Sequence, residues 1–99
     1  MLTYNDVVLN RSTYELGYDN KTQTLSGKEF QIAEMMMQQP NSIIATEQFI
    51  THIWGWDSHV DTSVVWVHIS NLRKKIDAVN APIEIRFVRN AGYILEDKQ

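Results

Sequence analysis

Short apolar runs alternate with turn-forming residues over the first 25 positions of the chain. The polar residues at positions 10–12 and 19–21 supply turn chemistry between these runs. The pattern predicts three short strands, at Val7-Val8-Leu9, Tyr14-Glu15-Leu16 and Gln23-Thr24-Leu25. We expect these strands to form a small antiparallel sheet that serves as a platform for helices.

A first helix is predicted directly after this sheet. Ser26-Gly27-Lys28-Glu29 has the pattern of a capping box, in which the serine oxygen and the glutamate each accept from the other residue's backbone. Pro40 and Asn41 end the helix. Its apolar face is expected to comprise Phe30, Ile32, Ala33, Met36 and Met37.

A short extended segment and a second helix come next. Ile43-Ile44 is expected to be extended, and Thr46 is expected to cap a helix that runs from Glu47 to Trp54. Gly55 ends that helix. One side of the helix is apolar, with Phe49, Ile50, Ile53 and Trp54.

A third helix is predicted to start at Asp61 or Thr62, either of which can serve as its cap. Apolar residues then recur at spacings of four, three and four, which is the helical period. They predict a buried stripe formed by Val65, Ile69, Leu72 and Ile76. Asn80-Ala81-Pro82 closes the helix.

The last segment predicts a β-hairpin with strands at Ile83 to Val88 and Tyr93 to Leu95. The turn at Asn90-Ala91-Gly92 suits a tight hairpin, because Asn and Gly tolerate left-handed backbone. The predicted fold class is therefore α+β, a winged helix-turn-helix with an N-terminal antiparallel sheet, three helices and a C-terminal β-hairpin wing. In such a layout one element fills the major groove of DNA and the other reaches the neighbouring minor groove.

The charge distribution modifies this interpretation. The net charge of −3 is unusual for a DNA-binding protein, but residues 62–93 have more basic than acidic side chains. The basic residues of this part are expected to form one strip, which comprises Arg73, Lys74, Lys75, Arg86 and Arg89. Taken alone, residues 73–75 are better explained as a solvated helix end favoured by the helix dipole.

Composition limits the other classes of function. The length of 99 residues, with 43% apolar and 21% charged residues, fits one globular domain. The sequence has no cysteine, no apolar run of membrane-spanning length and no secretory signal pattern, and we expect a cytoplasmic protein. Phosphate-loop, nucleophile and metal motifs are also missing, so we expect neither an enzyme nor a cofactor. The three histidines and their acidic neighbours lack a metal-ligand motif.

Four motifs occur in order along the chain: Leu25 to Phe30, Ile53-Trp54-Gly55, Val67 to Ile76, and Val88-Arg89 with Gly92-Tyr93. With them the chain resembles, over nearly its whole length, the winged helix-turn-helix effector domain of OmpR/PhoB-type response regulators. The resemblance implies sequence-specific binding of double-stranded DNA and transcription regulation as the output domain of a two-component system. It implies one effector domain over residues 1–99 and a receiver domain that this chain lacks. Head-to-tail dimers on DNA are common in the family, and no membrane partner is expected.

The resemblance makes the third helix the recognition helix. Asn71 is then suited to pair with adenine and Val67 to meet a thymine methyl group, whereas His68 and positive side chains suit phosphates. A half-buried histidine satisfied by the backbone is the alternative for His68, and a solvated hairpin charge is the alternative for Arg89. The expected DNA contacts are Ser63, Val67, His68, Ser70, Asn71, Arg73, Lys74, Arg86, Arg89 and Tyr93.

Several residues depart from the family pattern. The family often has arginine at Ser63 and Asn71, and it usually has an acidic residue at Trp66 and threonine at Val64. Its wing usually reads Thr-Val-Arg-Gly, where this chain has Phe87-Val88-Arg89-Asn90. Because each lost arginine–guanine contact removes about 1–3 kcal/mol of discrimination, we expect weak binding by the isolated domain, with less guanine readout than in a typical family member. Trp66 is expected to pack against the wing or the first helix.

The connection between the second and third helices is longer than the three or four residues of an ordinary helix-turn-helix. In the family this loop can touch RNA polymerase, which implies such a role for Trp56, Asp57, Ser58 and His59. Trp54 is expected to anchor the core, whereas Trp56 is equally compatible with exposure and burial.

A second function stays open from the sequence. The acidic balance and the missing recognition arginines are also compatible with a protein-interaction module on a winged-helix scaffold with weakened DNA binding. Salt-dependent DNA binding separates the two hypotheses.

Overall fold

The computed structural model describes residues 1–98 and has the predicted α+β architecture. The strands are β1 (Leu2–Tyr4), β2 (Val7–Asn10), β3 (Glu15–Tyr18), β4 (Lys21–Thr24), β5 (Ile43–Ile44), β6 (Ile83–Val88) and β7 (Gly92–Asp97). The helices are α1 (Gly27–Gln38), α2 (Thr46–Phe49), which continues as a π-helical turn (Ile50–Trp54), and α3 (Thr62–Ala78). No helix within residues 1–98 combines the length and apolar character needed to cross a membrane.

The N-terminal sheet has four antiparallel strands in the order β1-β2-β3-β4, one more than the sequence predicts. The missed strand is β1, which pairs with β2. Asn5 and Asp6 join them with positive φ angles of 49° and 65°, as a two-residue hairpin turn requires. Asp19 and Asn20 form a matching left-handed turn between β3 and β4. Strand β1 was missed because its three residues are too few for an alternating pattern to indicate a strand.

Helix α1 has the predicted capping box. The Ser26 hydroxyl accepts from the Glu29 amide at 3.3 Å, and the Glu29 carboxylate accepts from the Ser26 amide at 3.0 Å. The helix ends at Gln38, two residues before Pro40. The three consecutive methionines are all buried, so they fill the core where α1 packs against α3, β1 and β7.

The start of α2 differs from the prediction. The N-cap is Ala45 and not Thr46, and the Gln48 side chain accepts from the Ala45 amide at 2.8 Å. The glutamine at the third helical position thus satisfies the N-cap amide, which is the half of a capping box that needs no cap hydroxyl. Gly55 ends the helical segment as predicted, with φ of 102°.

Helix α3 presents the predicted stripe to the core: Val65, Ile69, Leu72 and Ile76 are all buried. Asp61 is its cap, since this carboxylate accepts from the Ser63 amide at 3.3 Å. The hairpin of β6 and β7 is also as predicted, and β5 adds to it in the order β5-β7-β6. Because α3 contacts β6, the exposed side of α3 and the hairpin lie on neighbouring surfaces.

Candidate nucleic-acid interface

The solvent-facing side of α3 lies opposite its buried stripe. Ser63, Val67 and Lys74 are exposed there, whereas Ser70 and Asn71 are half-buried at its margin. Within residues 1–98, no other residue forms a side-chain hydrogen bond or ion pair with Asn71 or Lys74. An amide and an ammonium group on this face are therefore available to a ligand.

His68 lies on the edge of α3 that faces α2. Its Nδ1 is 2.8 Å from the carbonyl oxygen of Val64, and its ring packs edge-on against Trp54 with centroids 5.5 Å apart. Because a carbonyl can only accept, Nδ1 has the proton, and the neutral ring has only an acceptor left at Nε2. The geometry thus matches the backbone-satisfied alternative, and a phosphate contact through His68 requires a protonated ring.

The five basic residues do not form the continuous strip that the sequence predicts. Lys75 donates to Glu29 at 2.6 Å and to the Thr24 carbonyl at 2.8 Å, away from the exposed side of α3. Arg73 donates through Nε to the Ile85 carbonyl at 3.0 Å, which ties α3 to β6. The strip was wrong because residues 73, 74 and 75 point in three directions around a helix.

Arg86 forms an exposed ion pair across the wing. Its Nε lies 2.6 Å from a carboxylate oxygen of Glu96 on β7. The hydrogen bond from Arg86 lowers the pKa of Glu96, and the same bond raises the pKa of Arg86. Of the five basic residues, only Lys74 and Arg89 have no hydrogen-bonded or ion-paired partner among residues 1–98.

The wing tip presents Arg89 to solvent. The turn is closed by the Ala91 amide, which donates to the Val88 carbonyl at 3.0 Å. Asn90 adopts left-handed backbone with φ of 63°, so it supplies the conformation for which the family uses glycine. Gly92 has φ of 148°, and a Cβ atom there would lie 2.1 Å from the carbonyl oxygen of Ile44. The base of the turn is therefore fixed against β5.

An open groove of about 470 Å³ separates α3 from the wing. We call it the aromatic cleft, and its lining residues are Thr46, Glu47, Thr62, Ser63, Trp66, Phe87, Asn90, Ala91, Gly92 and Tyr93. Trp66 and Phe87 are each 55% exposed. The sequence predicted that Trp66 packs against the wing or the first helix. In the structure Trp66 lies beside the wing.

Tyr93 forms the floor of the aromatic cleft and is only 3% exposed. Its ring lies 5.3 Å from that of Phe87 and 6.2 Å from that of Phe49 in the core, measured between centroids. Burial raises the pKa of the Tyr93 hydroxyl. Any DNA contact by Tyr93 is therefore restricted to the part of its side chain that reaches the cleft. Sequence patterns did not indicate the cleft, because its α2 and wing residues are distant in the chain.

The loop between α2 and α3 exposes its aromatic residue: Trp56 is 85% exposed. Asp57 and His59 are exposed as well, and the Ser58 hydroxyl accepts from the Val60 amide at 3.1 Å. Trp54 is half-buried and packs against the core, as expected. Within the part of the chain that the structure describes, no three His, Asp or Glu side chains are grouped to hold a metal ion.

Comparisons with known proteins agree with this architecture. Residues 20–95 match the family described as "Transcriptional regulatory protein, C terminal". The heme response regulator HssR of Staphylococcus aureus (strain JH9) is 42% identical over 96 residues, which are 97% of this chain and 43% of HssR. This chain thus spans less than half the length of the curated relatives it matches.

Solved structures show the same fold. The C-terminal domain of the nisin resistance regulator NsrR matches with a TM-score of 0.83 and 29% identity, and the match covers 100% of both chains. The DNA-binding domain of AdeR, solved with an intercistronic region, matches with a TM-score of 0.82 and 23% identity over 96% of this chain and 98% of that one. With the family match over residues 20–95, these findings show that the chain belongs to the C-terminal transcriptional regulatory family, the winged-helix effector domains of OmpR/PhoB-type response regulators.

Proposed function

We propose that this domain binds double-stranded DNA in a sequence-specific manner, with α3 in the major groove and the wing in the neighbouring minor groove. One observation carries the proposal: among residues 1–98, no residue forms a side-chain hydrogen bond or ion pair with Asn71 and Lys74 on α3 or with Arg89 at the neighbouring wing tip. Asn71 reads an adenine edge, Lys74 contacts phosphate, and Val67 meets a thymine methyl group. Ser63 and Ser70 supply hydroxyl groups on the same face.

The remaining expected contacts have smaller roles in this proposal. Arg73 and Arg86 contribute only if DNA displaces the Ile85 carbonyl and the Glu96 carboxylate, respectively. His68 contributes only when it is protonated, and Tyr93 contributes through the aromatic cleft.

We infer further that the domain regulates transcription in the cytoplasm as the output part of a longer two-component response regulator. Family membership and the 42% identity to a protein named as a response regulator support this role. Because the match covers only 43% of that relative, a receiver domain elsewhere in the full-length protein is part of the proposal. Receiver-driven, head-to-tail dimerisation on DNA belongs to the same proposal, and we propose no catalytic activity.

The test of DNA binding compares two variants on a duplex selected from random sequences by the parent chain. Asn71→Ala is expected to reduce the preference for the selected duplex over a scrambled one, because an amide pairs with a base edge. Lys74→Ala is expected to weaken both duplexes by the same factor, because an ammonium group acts as a point charge on phosphate. Lys21→Ala, which changes an exposed lysine of β4, is the matched control. Equal losses on both duplexes for Asn71→Ala would contradict base readout by Asn71.

A second candidate function rests on the loop between α2 and α3. Trp56 is 85% exposed and lies beside exposed Asp57, and tryptophan is enriched among the residues that contribute most to binding at protein–protein interfaces. We propose RNA polymerase as that protein, with Trp56, Asp57, Ser58 and His59 as the contact residues. Trp56→Ala is expected to reduce transcription from a promoter to which the variant still binds normally. Loss of promoter binding by this variant would contradict a separate polymerase contact.

A further inference from the structure

The aromatic cleft lies where a DNA strand has to pass. If α3 occupies the major groove and the wing enters the adjacent minor groove, the sugar–phosphate backbone that separates the two grooves crosses the space between these elements. In this protein that space is the aromatic cleft. The inference below therefore rests on the proposed DNA binding.

The two walls of the cleft are apolar and face open space. Trp66 on α3 and Phe87 on β6 are each more than half exposed, although large aromatic side chains are usually well covered. Phe87 is supported from below by Tyr93, which in turn packs against Phe49 in the core. The wing wall is thus held in place before any ligand arrives.

The cleft offers no cationic side chain to a phosphate. Its lining has no lysine or arginine within residues 1–98, and Glu47 adds a negative charge. The polar side chains that remain are those of Thr46, Thr62, Ser63 and Tyr93, with Asn90 at the wing. The part of a DNA strand that suits such walls is the apolar face of the deoxyribose ring.

Both walls are also positions where this chain departs from the family it resembles. An acidic residue is usual at Trp66 and a threonine is usual at Phe87, so two polar residues are replaced by aromatic ones. The structure shows that the two replacements line a single cleft, which the sequence alone does not reveal.

We propose that Trp66 and Phe87 hold a deoxyribose of the crossing strand between them, so that the domain gains affinity from an apolar contact that is independent of salt. Such a contact complements an interface in which, of the five basic residues, only Lys74 and Arg89 have no hydrogen-bonded or ion-paired partner within residues 1–98. Salt screens charges, but it does not weaken the burial of apolar surface in this way.

The test is a salt series on the selected duplex with Trp66→Ala, Phe87→Ala and the double variant. Each single change is expected to lower the affinity about tenfold at every salt concentration and to leave the slope of log affinity against log salt unchanged. The double variant is expected to lose less than the product of the two factors, because both side chains contact the same sugar. Trp56→Ala, which removes an exposed tryptophan outside the cleft, is the matched control and is expected to bind as the parent does.

Fluorescence supplies a second readout that needs no alanine variant. In a Trp56→Phe chain, the remaining tryptophans are the half-buried Trp54 and the more exposed Trp66, so acrylamide quenches mainly Trp66. Binding of the duplex is expected to protect this signal from quenching. Unchanged quenching, or alanine variants that bind as tightly as the parent, would overturn the proposal. A protein would then be the alternative occupant of the cleft.

A changed slope of log affinity against log salt for Trp66→Ala would also overturn the proposal. Trp66 would then act by positioning the positively charged side chains that contact phosphate. If the parent binds no duplex at low salt, the proposed function itself fails. If the parent binds but the cleft variants are unaffected, only this inference fails. The two failures are therefore distinguishable.

Discussion

Lys75 Nζ lies 2.6 Å from Oε1 of Glu29, and this ion pair joins α3 to the first turn of α1. The same carboxylate oxygen accepts from the Ser26 amide and closes the capping box. Glu29 is only 5% exposed, and the Lys75 ammonium also donates to the Thr24 carbonyl at 2.8 Å. A residue of the basic run on α3 therefore helps to hold the N-terminal sheet and both long helices together.

Removal of this lysine charge is expected to destabilise the fold without affecting DNA binding. Lys75→Met leaves a buried carboxylate without its cation, and we expect the free energy of unfolding to fall by roughly 2 kcal/mol. Urea denaturation measures this loss, and Lys74→Met is the matched control, expected to weaken DNA binding but not the fold. A Lys75→Met chain with parental stability and reduced DNA affinity would place Lys75 in the interface instead.

The same pair predicts a dependence of stability on acid. Burial opposes ionisation of Glu29, but the hydrogen bonds from Lys75 and from the Ser26 amide outweigh it and lower the pKa of the carboxyl below its ordinary 4.5. Since the folded-state pKa is depressed, the stabilisation is present above about pH 4.5 and is lost as the pH falls through the lower folded-state value. Glu29→Gln is expected to be less stable at pH 7 and to lose less stability than the parent between pH 5 and pH 3. Parallel pH curves for the two chains would contradict the prediction.

The pairing of the basic residues also predicts a shallow salt dependence. If only Lys74 and Arg89 neutralise phosphates, the slope of log affinity against log salt is about −2, and Lys74→Ala brings it to about −1. The continuous five-residue strip would instead give roughly −3 to −4.5 for three to five neutralised phosphates. A measured slope steeper than about −3 would show that DNA displaces the partners of Arg73 or Arg86.

The sequence predicted most elements, because their signals are local. The capping box at Ser26, the buried stripe of α3 and the wing turn each depend on residues that are close together in the sequence. The structure confirms all three. The cap at Thr46 was wrong by one residue, because Ala45 has the extended backbone of an N-cap although it has no side-chain acceptor, and Thr46 is already helical.

The interface was harder to predict because side-chain partners come from distant parts of the chain. Lys75 contacts a glutamate 46 residues away, and Arg86 contacts a glutamate on the neighbouring strand. One signal was available: Lys75 lies three residues after the buried Leu72, so helical periodicity places it near the edge of the buried stripe. No such signal joins Trp66 to Phe87, and their shared cleft became visible only in the structure.

The close approach of the wing to β5 predicts a strong effect at Gly92. A Cβ atom there would lie 2.1 Å from the Ile44 carbonyl oxygen and 2.8 Å from the Ala45 Cα, both backbone atoms that cannot turn away. Gly92 also has φ of 148°, which strains other residues. Gly92→Ala is expected to lower the free energy of unfolding by about 3 kcal/mol or more. Thermal melts measure this loss. Gly27→Ala, where a Cβ atom meets nothing within 4 Å, is the control and is expected to have little effect in the same measurement.

Arg89 is expected to be the principal contact of the wing with DNA. It is exposed, it has no hydrogen-bonded or ion-paired partner within residues 1–98, and it directly precedes the left-handed turn at Asn90. A guanidinium group at this tip suits a narrow A·T-rich minor groove, where the potential is strongly negative. Arg89→Ala is therefore expected to weaken binding most on duplexes with an A·T step beside the major-groove half-site.

The matched comparison for this variant is Arg86→Ala, which removes the neighbouring arginine that already pairs with Glu96. Since Arg89 is exposed and forms no hydrogen bond or ion pair within residues 1–98, the melting temperature of Arg89→Ala is expected to stay within about 1–2 °C of the parent, as for an ordinary surface change. Arg86→Ala is expected to weaken DNA binding less, because its charge is already partly neutralised. An Arg89→Ala chain that binds A·T-flanked sites as tightly as the parent would exclude the wing contact. Early melting with unchanged affinity would make Arg89 a structural residue, and the minor-groove contact would then lose its only candidate at the wing tip.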